Sequence, residues 1–317
     1  MFTISLEEIP GLPVVKPGEK YERIDDSSFY RSIASEISPI IEQYGGVLMR
    51  GFKIDSEAAF QDFMSAIPEQ QLDYIDGNSP RTKLIGKVYT STEYPKEYEL
   101  SMHNELSYSN NWPKMLYFCC VTEPLEGGHT LIADCRKVLK ELDPDLVDKF
   151  AKNKVKYTRY LHGGFGLGSS WQKTFEVSSK DEAEQCCKDL DIDFEWDDDD
   201  GLMISQIGPG VARHRTTNEL VWFNQADQFH LYNLPDEIQE GILALTDGDK
   251  RKYPTYAYFG NGEEIDTRLL EEVRSVFKKN TIVFPWKKGD LMIIDNQLMA
   301  HGRSPFNCER KILVSMT

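Results

Sequence analysis

The sequence predicts an α+β fold, and three observations carry that reading. Short, β-prone apolar runs recur at Val47-Leu48-Met49, from Met115 to Val121 and from Leu291 to Ile294. Between the first two of these, and ahead of them, apolar residues fall at helical spacings of three and four. A polar, glycine-bearing stretch at 160–220 interrupts the strand rhythm. At 317 residues and 40% hydrophobic content, the chain can bury a sizeable core as one large domain or two.

Taken in order, residues 1–25 carry Pro10, Pro13 and Pro17 with little periodicity and read as an extended arm. From Ser27, the positions Phe29, Ile33, Ile37, Ile40 and Ile41 form one helical face, with Pro39 as a kink or break and Gly45-Gly46 as the stop. Val47-Leu48-Met49 is a buried strand. A second helix spans 55–67 through Ala59, Phe60, Phe63, Met64 and Ile67, with Asp55 or Ser56 as its N-cap. Residues 68–98 are mostly polar, with Asp73, Asp76, Asn78 and Pro80, then a strand from Lys83 to Tyr89. Met115 to Val121 is the next strand, and Gly127-Gly128 turns the chain into Thr130 to Ala133. Asp134 caps a helix that ends before Asp143-Pro144, and another helix runs through Phe150.

The stretch from His162 to Gly168 is glycine-rich but lacks the strand and helix context of a dinucleotide loop, so it reads as a mobile loop anchored by Trp171. Glu195 to Gly201 lacks the spacing of a calcium loop and reads as a solvated acidic turn. Strands resume at Val221-Trp222-Phe223 and from Tyr256 to Phe259. A helix fits Asp266 to Lys278, and Lys287 to Asp290 turns into the run ending at Ile294.

Charge and cysteine usage exclude several classes. A net charge of -16 repels nucleic-acid phosphates and anionic membranes, so neither is a partner. The amino terminus lacks a basic segment followed by an apolar core, and no apolar run is long enough to span a bilayer, which points to the cytoplasm. Six cysteines form no C-x-x-C pair and include two adjacent doublets, the pattern of small buried apolar side chains instead of a disulfide framework.

The chemistry concentrates at His103-Asn104-Glu105, which offers an imidazole and a carboxylate two residues apart. A third ligand would come from far along the chain, and His301, shortly after the apolar run Leu291 to Ile294, is the candidate. Two histidines and one carboxylate on one face, with the remaining positions open, is the ligand set of non-haem Fe(II) oxygenases. His129, His162, His214 and His230 read as hydrogen-bonded or surface residues.

Further motifs follow at Glu126-Gly127-Gly128-His129-Thr130-Leu131, Val221-Trp222-Phe223-Asn224-Gln225 and His301-Gly302-Arg303 through Glu309-Arg310-Lys311. With Gly45 to Phe52, they make most of the chain resemble the taurine dioxygenase-like (TauD/TfdA) superfamily of Fe(II)- and 2-oxoglutarate-dependent oxygenases. Within it, the chain resembles the branch of clavaminate synthase and the syringomycin-type SyrP-like enzymes, where the carboxylate ligand is Glu. The resemblance implies a double-stranded β-helix, or jelly roll, with flanking helices and an inserted helical and loop region at about 160–220. It makes His103, Glu105 and His301 the iron ligands, Arg310 the partner of the distal carboxylate of 2-oxoglutarate, and Thr130 a second contact to that co-substrate. Arg303 is the alternative partner, or else faces the substrate. One departure is visible: the family often has Asp before that threonine, and here His129 stands there.

The implied reaction couples O2 and 2-oxoglutarate to hydroxylation of an unactivated C–H bond, with desaturation or cyclisation as alternative outcomes. Glu105 disfavours halogenation, because the superfamily's halogenases replace that ligand with a small residue. The branch implies an amino acid, free or tethered to a carrier protein, and the acidic surface favours a free amino acid or small peptide. Arg159, Asn224 and Asp227 are candidate substrate handles. Residues 160–220 and 68–98 are expected to close as a lid over the site. Two other classes stay open: a zinc hydrolase, for which H-E-x-x-H is missing, and a catalytically silent jelly-roll binding module, against which the joint presence of the five site residues argues.

Overall fold

The strand Met115–Thr122 accounts for the layering. Side chains alternate across a strand, and here both faces are apolar: Leu116, Phe118 and Cys120 enter one core, Tyr117 and Cys119 another. The neighbouring strand Leu291–Asp295 repeats this, with Met292 and Ile294 on one side and Leu291 and Ile293 on the other. The doublet Cys119-Cys120 is therefore split between two cores, and all six cysteines are free.

The structure, a computed structural model, describes residues 2–18, 27–77, 81–91 and 94–317, and of residues 27–32 the backbone only. Part of the expected arm, the side chain of Phe29, and Asn78 and Pro80 of the expected lid lie outside what is described. The two strands above lie in an eight-stranded sheet with the order Phe2–Ser5, Val14–Pro17, Gly46–Met49, Leu291–Asp295, Met115–Thr122, Lys311–Met316, Val88–Thr90, Lys83–Ile85. Neighbours are antiparallel except Val14–Pro17 beside Gly46–Met49. Helices Ser27–Tyr44 and Glu57–Ala66 cover the outer face through Ile33, Ile37, Ile41, Phe60, Phe63 and Met64.

A four-stranded sheet, ordered Ile282–Val283, Thr130–Asp134, Met299–Arg303, Leu100–His103, shares the inner core through Ile132 and Ala300. The two sheets make the jelly roll that the motifs implied. Caps fall where the sequence puts them: Ser56 accepts from Ala59 N at 3.2 Å, and Asp134 from Arg136 N at 2.9 Å. The first helix runs through Pro39 undivided, because Ile37 and Ile41 on either side are both buried and tertiary packing sustains a turn that proline weakens.

Two elements differ from the sequence reading. Lys83 to Tyr89 is a hairpin, Lys83–Ile85 and Val88–Thr90, turning at Gly86 with φ +56. The insertion is built on a sheet, not on helices and loops alone: Asp193–Trp196, Leu202–Gly208, Val155–Leu161 and Tyr256–Phe259 pair antiparallel. With helices Trp171–Phe175 and Lys180–Asp189 they enclose a small core of Leu161, Trp171, Phe175, Cys187, Leu202 and Ile204. Half of each long strand faces outward with residues such as Lys156, Thr158 and Ser205, so a half-buried sheet reads as polar composition. Trp171 is anchored as expected, Phe165 is fully exposed in the glycine-rich loop, and Asp197 closes the acidic turn by accepting from Asp199 N and Gly201 N. Among the described residues, no helix is long and apolar enough to cross a membrane.

Candidate metal centre and co-substrate pocket

Leu100–His103 and Met299–Arg303 are adjacent antiparallel strands, and His301 and His103 are partners across the ladder. Their side chains therefore share a face, with ring centroids 4.3 Å apart. Glu105 lies just past the strand end, and its Oε2 stands 3.5 Å from His301 Nε2. One ligand atom from each of the three falls within 4.8 Å of the others, and all three residues are buried.

The irregular segment carrying Glu105 is clamped by a residue that the sequence reading passed over. Asn296 accepts from Glu105 N at 2.7 Å through Oδ1, and its Nδ2 donates to the carbonyls of Glu105 and Pro113 at 2.9 Å each. Asn104 returns the contact, donating to Asn296 O at 2.6 Å. Gln225 holds the following turn by accepting from Ser107 N and Oγ, both at 3.1 Å. The three consecutive residues His103, Asn104 and Glu105 thus divide into candidate donor, clamp and candidate donor.

The electrostatics suit a divalent cation. His103 donates from Nδ1 to Ser101 O at 2.8 Å, which leaves Nε2 for a ligand. Burial and the neighbouring His301 push His103 down to about 3, so the imidazole is neutral. Burial would raise the carboxyl of Glu105, but the guanidinium of Arg81 and the hydrogen bond from His301 hold it well below the usual carboxylate range. A neutral imidazole and an ionised carboxylate are the forms that bind metal, so the residues fit a 2-His-1-carboxylate site. The Arg81 guanidinium, which the sequence reading also missed, donates to Glu105 Oε2 at 2.6 Å.

Beside the triad, Thr130, Arg310, Phe118, Ser91, Arg81 and His301 surround a cavity of about 20 Å³. Arg310 donates from Nε to Gly128 O at 2.7 Å and from Nη1 to Ser91 Oγ at 3.1 Å. It meets no carboxylate among the described residues, and burial, then the charge of Arg303, push it down to about 9. The two glycines of the turn explain how the backbone comes so close. Both have positive φ, a Cβ on Gly127 would sit 2.2 Å from Pro305 O, and one on Gly128 would crowd Arg310 Cδ. Thr130, cross-strand from Arg303, accepts from Trp286 Nε1 at 3.0 Å.

Residues 15–317 match the family described as taurine catabolism dioxygenase TauD, TfdA family. The chain belongs to this family. As a TauD/TfdA member it is an Fe(II)- and 2-oxoglutarate-dependent dioxygenase. It is 36% identical over 280 residues to the dapdiamide synthesis protein DdaC of Enterobacter agglomerans, covering 88% of this chain and 84% of that one. It is 29% identical over 291 residues to a clavaminate synthase-like protein of Arabidopsis thaliana, covering 88% and 83%. Among solved structures, an asparagine oxygenase in complex with Fe(II), 2S,3S-3-hydroxyasparagine and succinate shares the fold at TM-score 0.55, with 13% identity over 92% of this chain and 79% of that one.

Against the TauD/TfdA fold, the remaining candidate residues sort by what they touch. Arg303 spends its fork on main-chain carbonyls, Nη1 on Tyr94 and Nη2 on Pro95 and Tyr98, at 2.7 to 3.0 Å. Both fork-end nitrogens of Arg303 are thus used and only its Nε is idle, whereas Arg310 leaves the fork-end Nη2 without a partner among the described residues. Arg159 is not a free handle: its guanidinium is locked on the side chain and carbonyl of Asp76. Asn224 donates to Gly210 O and caps Ala226 N, which fixes its own loop. Asp227 pairs with Arg274 at 2.6 Å and faces a 560 Å³ groove lined by Ser101, Met102 and Leu131, away from the triad. These three were placed as handles from residue type alone, and each proves to be paired within the protein. His214, expected to be hydrogen-bonded, bonds Asp295 Oδ2 through Nε2 at 3.0 Å.

Proposed function

We propose that this chain acts in the cytoplasm as one jelly-roll domain, an Fe(II)- and 2-oxoglutarate-dependent oxygenase that hydroxylates an amino acid or amino-acid-derived substrate in specialised metabolism. The carrying observation is the meeting of three buried candidate metal donors with a half-buried arginine that meets no carboxylate among the described residues. In this reading His103, Glu105 and His301 hold the iron, and Arg310, with Thr130 beside it, receives the distal carboxylate of 2-oxoglutarate. Bound iron supplies activation of O2 coupled to decarboxylation of 2-oxoglutarate to succinate.

The chain's own residues orient and enclose. Asn296 fixes the direction of Glu105, Arg310 fixes the far end of the co-substrate, and Phe118, next to His301 with ring centroids 5.2 Å apart, lines the pocket with hydrocarbon. A cavity of about 20 Å³ has room for about one water, so the segments over it must withdraw to admit a five-carbon diacid and then close. In this reading the cover is the lid expected from the sequence, residues 68–98 with the insertion at 160–220. Asp76 N donates to Thr174 O at 3.4 Å, and Arg159 holds the Asp76 side chain, so they move together as the lid.

The names of DdaC, a dapdiamide synthesis protein, and of the asparagine oxygenase support an amino-acid-like substrate. The acidic surface supports a free amino acid or small peptide over a carrier-tethered one. Succinate release, measured with Fe(II), 2-oxoglutarate and a panel of amino acids, tests the reading. Amino-acid-stimulated succinate is expected, and no succinate with any compound would refute it.

A further inference from the structure

Resting on the oxygenase reading above, we infer that Arg81 is the anchor for the substrate's carboxylate. Arg81 sits on the strap between Asp76 and the hairpin strand Lys83–Ile85, yet its side chain is only 2% exposed. Its plane stacks on Tyr74 at 4.3 Å. Only Nη2 is used, on Glu105 Oε2; Nε and Nη1 are buried and meet no hydrogen-bond partner among the described residues. A guanidinium offers five donors in a fork that matches a carboxylate edge. Burying it with most of that fork idle is unfavourable unless a guest uses it.

Arg81 lines the same cavity as His301, Thr130 and Arg310. In that reading Arg310 would hold the co-substrate, which leaves Arg81, bonded to Glu105, as the arginine available to a second anion. Oε2 of Glu105 is also the oxygen nearest His301 Nε2. Were Glu105 to give that oxygen to a metal, its charge would be shared with the cation, and Arg81, with Nε and Nη1 idle, would be left with room for a second anion. An amino-acid carboxylate supplies the charge and the bidentate edge together. A carrier-tethered aminoacyl thioester has lost that carboxylate, so Arg81 selects the free acid.

The test uses the full chain, anaerobic, with Fe(II) and 2-oxoglutarate, and follows the visible charge-transfer band of the iron and 2-oxo acid chelate. The twenty proteinogenic L-amino acids and their α-carboxamides are added in turn. At least one acid is expected to perturb the band, its carboxamide at least ten-fold more weakly. Arg81→Gln should weaken that acid at least ten-fold, read against the variant's own acid-free band, with Arg81→Lys in between. Carboxamides binding as well as acids, an Arg81→Gln protein binding the acid like wild type, or a band that no acid perturbs would each overturn the assignment. The acid and carboxamide comparison is made on the wild type, so a variant that fails to fold does not block it. Absence of the band itself would refute the oxygenase reading, and this assignment with it; a band that no acid perturbs refutes the Arg81 role alone.

Discussion

The three candidate metal donors and the residues around them are held in different ways. His103 and His301 are fixed by register in a β-ladder, and Glu105 by the main-chain clamp of Asn296. Asp76 and Arg81 are held mainly through side chains, beside one main-chain bond from Asp76 N to Thr174 O: Arg159 on Asp76, Tyr108 Oη donating to Asp76 O at 2.7 Å, and Arg81 on Glu105. A ladder defines positions whether or not a guest is present, whereas ion pairs can exchange one anion for another. The centre is therefore preorganised and its cover exchangeable. The largest expected effect tests the first half of that contrast. His103→Ala, Glu105→Ala and His301→Ala should each abolish stoichiometric Fe(II) binding in a metal titration. Asn296→Ala, which removes no ligand, should weaken binding by about 10- to 100-fold, the usual cost of losing a group that orients a ligand. Near-native affinity in the His301 variant would refute the triad.

Next in size is the latch on the cover. Asp76→Ala leaves Arg159 buried and uncompensated, and breaking a buried pair from one side costs about 3–5 kcal/mol. Urea unfolding should show that loss, and limited proteolysis should show faster cleavage within 68–91 and 163–168. Iron, 2-oxoglutarate and substrate together should slow cleavage of the wild type there; unchanged cleavage would make the cover a static wall.

The two arginines after His301 extend the same comparison within one pocket. Arg310→Gln removes charge-assisted hydrogen bonds worth about 1.5–3 kcal/mol each, so the KM for 2-oxoglutarate should rise ten-fold or more while iron binding persists. Arg303→Gln should leave that KM nearly unchanged and loosen the 94–98 loop, whose carbonyls it holds. The reverse result would exchange their roles.

What the sequence disclosed follows the same division. That His103, Glu105, His301 and Arg310 belong together was legible because family motifs keep them at recognisable places, and the core strands because apolar runs betray burial on both faces. Arg81 and Asn296 were not. Arg81 lies in a polar stretch where nothing local marks a charged residue as buried, and its partner Glu105 is 24 residues on. Asn296 was in view beside His301, but its role depends on a contact 191 residues back in the chain. For Arg159, Asn224 and Asp227 the converse holds, since a polar residue type does not reveal the partners each has within the protein. The insertion sheet was hidden because an alternating, half-buried strand carries as many polar as apolar residues.

The smallest expected effect is a pH response at the short helix Ala226–Phe229 and its C-cap His230, outside both the donors and their cover. Burial pushes His230 down to about 4 from its ordinary 6.5. Between those values the unfolded chain holds a proton that the folded chain lacks, so stability is full above pH 6.5 and falls as the pH drops toward 4. Asp227, three residues earlier, runs the other way. Burial outweighs Arg274 and raises its carboxyl to about 6 from 3.8, so between these values the folded chain holds the extra proton and gains stability as the pH falls. Each group contributes at most about 1.4 kcal/mol per pH unit, and the two oppose each other between pH 4 and 6. Urea unfolding of the metal-free protein at pH 5, 6 and 7 separates them: His230→Gln should flatten the acid-side loss relative to wild type, and Asp227→Asn should steepen it. Equal slopes in all three proteins would mean that neither group changes its protonation on folding.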